Sequence, residues 1–173
     1  MKEVSFFLNT HNSSKREYEK YMNSEKPECM TKAKLYDRDF FDGDRKYGYG
    51  GYKYIPGRWN DVIDQIIEFY SLDKNSKLID AGAGKGFFLN DLKSKIGSDD
   101  LHGFDISSYA VDNCPDNVKS NFFVHDIRKK LKYNDNYFDL LTCFGVIHNL
   151  KIYEIESTIN ELNRISKKQY LWV

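Results

Sequence analysis

The sequence predicts an α/β protein: a parallel sheet flanked by helices, with an aromatic-rich helical and loop cap at the N-terminus. Three observations predict it. Beyond residue 57, short apolar runs alternate with segments of helical periodicity, the pattern of strand–helix–strand units with parallel strands. One strand-to-helix junction, Asp80-Ala81-Gly82-Ala83-Gly84-Lys85-Gly86, is a glycine turn of the kind that lets a ligand approach the backbone. Acidic residues, Asp80, Asp105 and Asp126, fall at the ends of three successive predicted strands.

The elements follow in order. Residues 1–57 read as an arm or lid and 58–173 as the core. From Asn12 to Lys34 the chain is polar and charged, which predicts one or two short helices broken near Pro27. The stretch Lys46 to Tyr54 then interleaves four tyrosines with three glycines. Each glycine costs a helix about 1 kcal/mol relative to alanine, and the Gly50-Gly51 pair breaks strand alternation. A mobile or irregular loop is expected, which either closes over a ligand or simply packs its aromatic area onto the domain.

Trp59, Val62, Ile63, Ile66, Ile67 and Tyr70 recur at helical spacing and predict an amphipathic helix ending near Leu72. Lys77–Asp80 reads as a strand, Phe87–Ile96 as a helix, Leu101–Phe104 as a strand, and Ser107–Asn113 as a short helix stopped before Pro115. Asn121–His125 and Phe138–Phe144 read as strands, Tyr153–Ile165 as a helix and Gln169–Val173 as a last strand. Right-handed crossovers would place the ligand crevice outside the carboxyl ends of the strands.

Composition narrows the function. The 173 residues carry 26 Lys+Arg against 26 Asp+Glu, and a chain that coats nucleic acid needs a concentrated basic surface instead. Cys29, Cys114 and Cys143 form no pair or cluster of metal-ligand spacing, so no metal is expected. Unpaired, scattered thiols fit a reducing compartment. No stretch approaches the roughly 18 uncharged apolar residues of a spanning helix, and the N-terminus lacks a signal-peptide core. The expectation is a soluble, cytoplasmic protein with no membrane partner.

Three ligand classes compete for the glycine turn. A nucleoside-triphosphate loop needs a hydroxyl after its lysine, but Lys85 is followed by Gly86. A dinucleotide loop counted from Gly82 would put the bulky Phe87 where a glycine is needed. The pattern [DE]-x-G-x-G-x-G fits throughout, and here the sequence resembles the class I S-adenosylmethionine-dependent methyltransferases. That resemblance covers Trp59 to Val173.

The resemblance implies a Rossmann-like sheet in strand order 3-2-1-4-5, with S-adenosylmethionine as cofactor and S-adenosylhomocysteine as product. It implies that Asp80, Ala81, Gly82, Gly84 and Gly86 wrap the methionine part of the cofactor. Asp105, with Ile106 after it, would serve the ribose hydroxyls. Asp126 would take the adenine amino group, with the backbone and side chain of Ile127 flanking the ring. Phe138-Asp139-Leu140-Leu141 resembles the family's fourth strand. Beyond it, Phe144 either packs near the cofactor or is ordinary core, and His148 is the candidate general base, or else a cap or packing residue. His125 is expected to pack, and neither His102, inside the second strand, nor His11, in the polar arm, looks catalytic. Tyr47, Tyr49, Tyr52 and Tyr54 are candidate lid residues whose aromatic faces suit a sulfonium, and Arg58 a candidate partner for the cofactor's carboxylate.

No [DN]-P-P-[FYW] turn and no twin-glutamate loop is present, which disfavours nucleobase, glutamine and arginine acceptors. A small-molecule acceptor with an oxygen or nitrogen nucleophile is expected. The alternatives are an inactive cofactor-binding domain and, third, a nicotinamide oxidoreductase. Because the family usually continues past the fifth strand, the chain is expected to be a piece of a longer protein. Otherwise a partner would cover that strand, which invites self-association while exposed.

Overall fold

The structure, a computed structural model, describes residues 26–172. His11, the predicted helical stretch before residue 26, and Val173 lie outside the described residues. The chain divides into two compact units, Met1–Ser71 and Leu72–Val173.

The first unit contains α1 (Lys26–Ala33), α2 (Arg38–Asp42) and α3 (Asn60–Tyr70). Pro27 lies in the first turn of α1, where its missing N–H has no intrahelical acceptor to forgo; the N-terminal side of the predicted break lies outside the described residues. The five residues of α2 are too few for a periodic signal. Its start is marked by Asp37, whose side chain accepts the Asp39 N–H at 2.9 Å. The tyrosine–glycine segment is irregular, as its sequence predicts, but it is tied to α2. The Tyr49 N–H donates to Phe40 O at 2.9 Å, and the Tyr52 N–H reaches both Phe41 O (2.9 Å) and Asp42 Oδ1 (3.0 Å). Val62, Ile63 and Ile66 form the buried stripe of α3, which stops at Ser71 in the left-handed conformation (φ 55°).

The second unit is the Rossmann-like sheet. Its elements are β1 (Leu78–Ala81), α4 (Phe87–Ile96), β2 (Leu101–Asp105), α5 (Ser108–Asp112), β3 (Phe122–Val124), β4 (Leu140–Phe144), α6 (Ile152–Ile165) and β5 (Gln169–Trp172). The strands are parallel and ordered β3-β2-β1-β4-β5, so the chain reverses direction across the sheet between β1 and β4. The predicted strand 121–125 is shorter than expected because Lys119–Asn121 is a turn of 3₁₀ helix. The predicted strand from Phe138 likewise begins at Leu140, Phe138 keeping only an isolated bridge to Ser166.

Alternation along the strands separates the two faces. Ile79, Ala81, Phe104, Leu141 and Cys143 share one core with Leu162 and Ile165 of α6 and with Ile127, Leu131 and Phe138 of the β3–β4 connection. On the other face Gly103 leaves room for its neighbours: an added Cβ would stand 2.6 Å from Leu89 Cδ1 of α4 and 2.5 Å from the Phe122 ring. Among the described residues no helix is long and apolar enough to cross a membrane.

Arg164 and Glu161 of α6 both hold the β3–β4 connection. Arg164 donates to Tyr133 O (2.7 Å) and Leu131 O (3.0 Å), and pairs with Glu161 (2.6 Å) and Asp135 (2.9 Å). Glu161 in turn accepts the Leu131 N–H at 2.7 Å. Arg164→Ala should therefore destabilise the protein by about 2 kcal/mol, since charged donors to half-buried carbonyls are lost together. Denaturant titration checks this, and an unchanged midpoint would refute it.

Candidate functional site

The carboxyl ends of β1, β2 and β4 converge with the turn that opens α4. In that turn Gly82, Gly84 and Gly86 all take positive φ, at 72°, 57° and 71°, a conformation that L side chains resist. The turn is fastened to the end of β2. The N–H groups of Gly82 and Ala83 both donate to Phe104 O (2.9 and 3.0 Å), and the Gly84 N–H donates to Asp105 Oδ2 (2.8 Å). Ala81 ends β1 with its side chain fully buried, so its contribution at the crevice is backbone alone.

The first acid, Asp80, is 2 % exposed and its Oδ1 accepts the Thr142 hydroxyl at 2.7 Å. Burial pushes its pKa up to about 7; the Thr142 hydrogen bond pulls it down and the neighbouring Asp105 charge raises it further. The same surroundings push the Cys143 thiol up to about 12, chiefly by burial and then by Asp80. Asp105 is buried as well, and burial raises it against the opposing backbone N–H bonds of Ser107, Gly84 and Ile106. Its Oδ1 accepts the Ser107 N–H at 2.9 Å while Oδ2 serves Gly84. Three backbone N–H groups on the two oxygens leave one lone-pair site for a hydroxyl donor.

Asp126 lies two residues beyond β3. The Arg128 side chain forks onto it (Nε to Oδ1 2.8 Å, Nη2 to Oδ2 2.6 Å), and this bond above all holds its pKa below the usual carboxylate range. Ile106 exposes 47 % of its surface beside Asp105. Ile127, in contrast, has its side chain in the α6-side core, so of the two groups expected to flank a ring, only its backbone is available. Phe144 meets Phe88 and Tyr170 edge-on at 5.0 and 5.8 Å. His148 is exposed on the 3₁₀ turn Ile147–Asn149 that follows β4.

The remaining candidates belong to the first unit. Tyr49 and Tyr52 lie 4.5 Å apart, and Tyr49 stacks on Phe41 at 5.9 Å. The Tyr47 hydroxyl accepts from Lys32 Nζ at 3.3 Å. Tyr54 and Arg58 are exposed. Of the other histidines, His102 lies between Asp100 (2.8 Å) and the Tyr133 hydroxyl (2.9 Å), and His125 meets Phe104 edge-on.

Sequence reasoning missed four participants. Thr142 supports Asp80, Arg128 grips Asp126, and Val146 packs onto Gly82. Lys85 is 6 % exposed within the glycine turn, with Nζ 5.5 Å from the Tyr109 ring of α5. A basic residue two positions after Asp126 was a visible signal for one of these; the others are set by contacts distant in sequence.

Comparison with known proteins points the same way. A family model described as "Methyltransferase domain" matches residues 78–169. The phosphoethanolamine N-methyltransferase of Plasmodium falciparum is 28 % identical over 127 residues, covering 71 % of this chain and 44 % of that protein. The chain thus spans less than half the length of the curated relative it matches. Among solved structures, a Methanococcus maripaludis protein assigned as an S-adenosyl-L-methionine-dependent methyltransferase superposes with a TM-score of 0.54 at 21 % identity, covering 64 % of this chain and 52 % of that one. A SAM-dependent methyltransferase from Aquifex aeolicus gives 0.51 at 23 % identity, with 66 % and 63 % covered. At those identities the two superpositions speak for the fold. With a family match over more than half its length, on the sheet and turn described above, the chain belongs to the class I S-adenosylmethionine-dependent methyltransferases.

Proposed function

We propose that this chain is the cofactor-binding part of a methyltransferase whose acceptor is a small molecule with a nitrogen or oxygen nucleophile. The observation that carries the reading is the trio of carboxylates at and beyond the ends of β1, β2 and β3 around a turn of three left-handed glycines. Such a donor set fits S-adenosylmethionine: carboxylates accept from hydroxyl and amino groups, whereas Asp80 and Asp105 beside the turn would repel a pyrophosphate. When bound, that cofactor supplies an electrophilic methyl group, transferred by in-line displacement.

The chain's residues then divide the work. The glycine turn, with Asp80 and Ala81, would hold the methionine part; Asp105 and Ile106 the ribose; Asp126 and the Ile127 backbone the adenine; and Phe144 a wall of the crevice. Alignment of donor and acceptor supplies most of the rate in such a transfer, and His148 would remove a proton where the acceptor is a hydroxyl or an ammonium. Residues 1–57 are assigned as a lid and 58–173 as the core, with Tyr47, Tyr49, Tyr52 and Tyr54 of the lid and Arg58 at the start of the core as candidate ligand contacts. A relative that is named for methylating phosphoethanolamine and a chain without net charge both favour a small amine over nucleic acid. The reading places the protein in the cytoplasm and allows self-association through β5.

Calorimetry with S-adenosylhomocysteine and with NAD tests the cofactor. Only the former should bind, and Asp105→Ala should weaken it at least about tenfold, one charged hydrogen bond being worth roughly 1.5–3 kcal/mol. Unaltered binding in that variant would remove the ribose assignment. Transfer of an isotopically labelled methyl group to phosphoethanolamine, other small amines and small alcohols tests the acceptor. Binding without transfer to any of them would leave the cofactor reading intact and overturn the small-molecule one.

A further inference from the structure

The Arg128 side chain uses three nitrogens on two partners. Nε and Nη2 hold the two oxygens of Asp126, and Nη1 donates to Glu154 Oε1 at 3.2 Å. The backbone N–H of Arg128 adds a further bond to Asp126 Oδ1 at 3.0 Å. Glu154 lies in the first turn of α6, and its Oε2 accepts the Lys151 N–H at 2.9 Å. That turn of α6 follows the Ile147–Asn149 segment carrying His148, with only Leu150 and Lys151 between them. One guanidinium thus joins the residue beyond β3 to the segment beyond β4.

Stability alone gives little reason for such a bridge. The Arg128 side chain is 42 % exposed, and exposed ion pairs contribute little. Its geometric effect is larger. A two-pronged bond fixes the plane of a carboxylate, which a point charge does not. Oδ2 accepts only one of these bonds and keeps a lone pair for an amino donor.

We propose that Arg128 is a positioning residue: it sets the Asp126 carboxylate for the adenine amino group and, through Glu154, couples occupancy of that subsite to the order of the turn that carries His148. The inference rests on the adenine assignment of Asp126 made above. It predicts that selectivity for the amino group, and not only affinity, depends on a residue that the ligand does not touch.

The test compares S-adenosylhomocysteine with S-inosylhomocysteine, which lacks the amino group, by calorimetry on the full chain. Asp126→Asn should change the preference of the unaltered protein; if it does not, the adenine assignment fails and this proposal with it. Given that change, Arg128→Ala should reduce the preference about tenfold, the value of one well-aligned charged hydrogen bond. Arg128→Lys keeps the charge without the fork and should recover less than half of the loss on a logarithmic scale. Glu154→Gln should leave the preference intact but abolish the protection from amide exchange that S-adenosylhomocysteine confers on residues 147–154. A preference unchanged in both Arg128 variants, or fully restored by lysine, overturns the positioning role. Protection unchanged in Glu154→Gln overturns the coupling.

Discussion

Replacing Gly82 by alanine should cost about 2–5 kcal/mol of stability and most of the affinity for S-adenosylhomocysteine. Two terms add. Gly82 has φ 72°, and an L side chain in the left-handed region costs about 1–2 kcal/mol. An added Cβ would also overlap Val146 Cγ2 and stand 3.2 Å from Cγ1, and overpacking of this kind costs about 1–3 kcal/mol. Val146 directly precedes the Ile147–Asn149 turn, so relief by movement of Val146 shifts the acceptor-side segment as well. Adding Val146→Ala should recover the steric part and leave the backbone part, because the Val146 Cβ lies 3.3 Å from the new methyl. Denaturant titration of the two single variants and the double variant checks this. If Val146→Ala recovers nothing, the clash is not the cause; if it recovers everything, the backbone conformation costs nothing.

The second large effect is a dependence on pH. Asp80 is raised to about 7 in the folded protein, first by burial, against an ordinary value of 3.8. Between those two values the folded state keeps a proton that the unfolded state has released. Stability is therefore greatest, as far as this group decides it, below about pH 4, falls as pH rises, and is constant above about 7. At 1.36 kcal/mol per pH unit, the fall is about 4 kcal/mol as an upper value. Asp105, also raised, adds to the same slope. Asp126, Asp139 and Glu161 are lowered and act oppositely, contributing stability that is lost as pH drops through the folded pKa values below about 4. The unliganded protein should therefore be most stable at moderately acid pH. Asp80→Asn retains an acceptor for Thr142 and removes the ionisation. It should flatten the descent between pH 4 and 7 and be more stable than the parent protein at pH 8. Parallel thermal profiles for the two proteins would show that Asp80 ionises without cost.

These two residues mark how far the sequence could be read. Gly82, Gly84 and Gly86 were legible because a strand-to-helix reversal needs backbone conformations that few other residues accept, and the need is local. The acids were legible because strand ends could be found from apolar runs. The helix α2 escaped because five residues give no period. Its marker, the Asp37 cap, is a single residue among many acids. The tyrosine–glycine stretch was read as irregular from its composition, but not its fastening to α2, since the acceptors are carbonyls of Phe40 and Phe41, which any residue would supply.

The sequence by itself determined the alternation of strands and helices, the shape of the glycine turn and the placing of one carboxylate after another along the chain. These follow from backbone preference and periodicity, which act over a few residues. The tertiary structure alone decided what surrounds each carboxylate. Thr142 reaches Asp80 across 62 residues because β4 pairs with β1. Asp105 meets the glycine turn because β2 flanks β1 on the other side. Arg128 joins Asp126 to Glu154 because the chain returns to that end of the sheet after β4. Whether an acid is charged, and what it can hold, depends on those neighbours and on exclusion of water, and both are set by strand order.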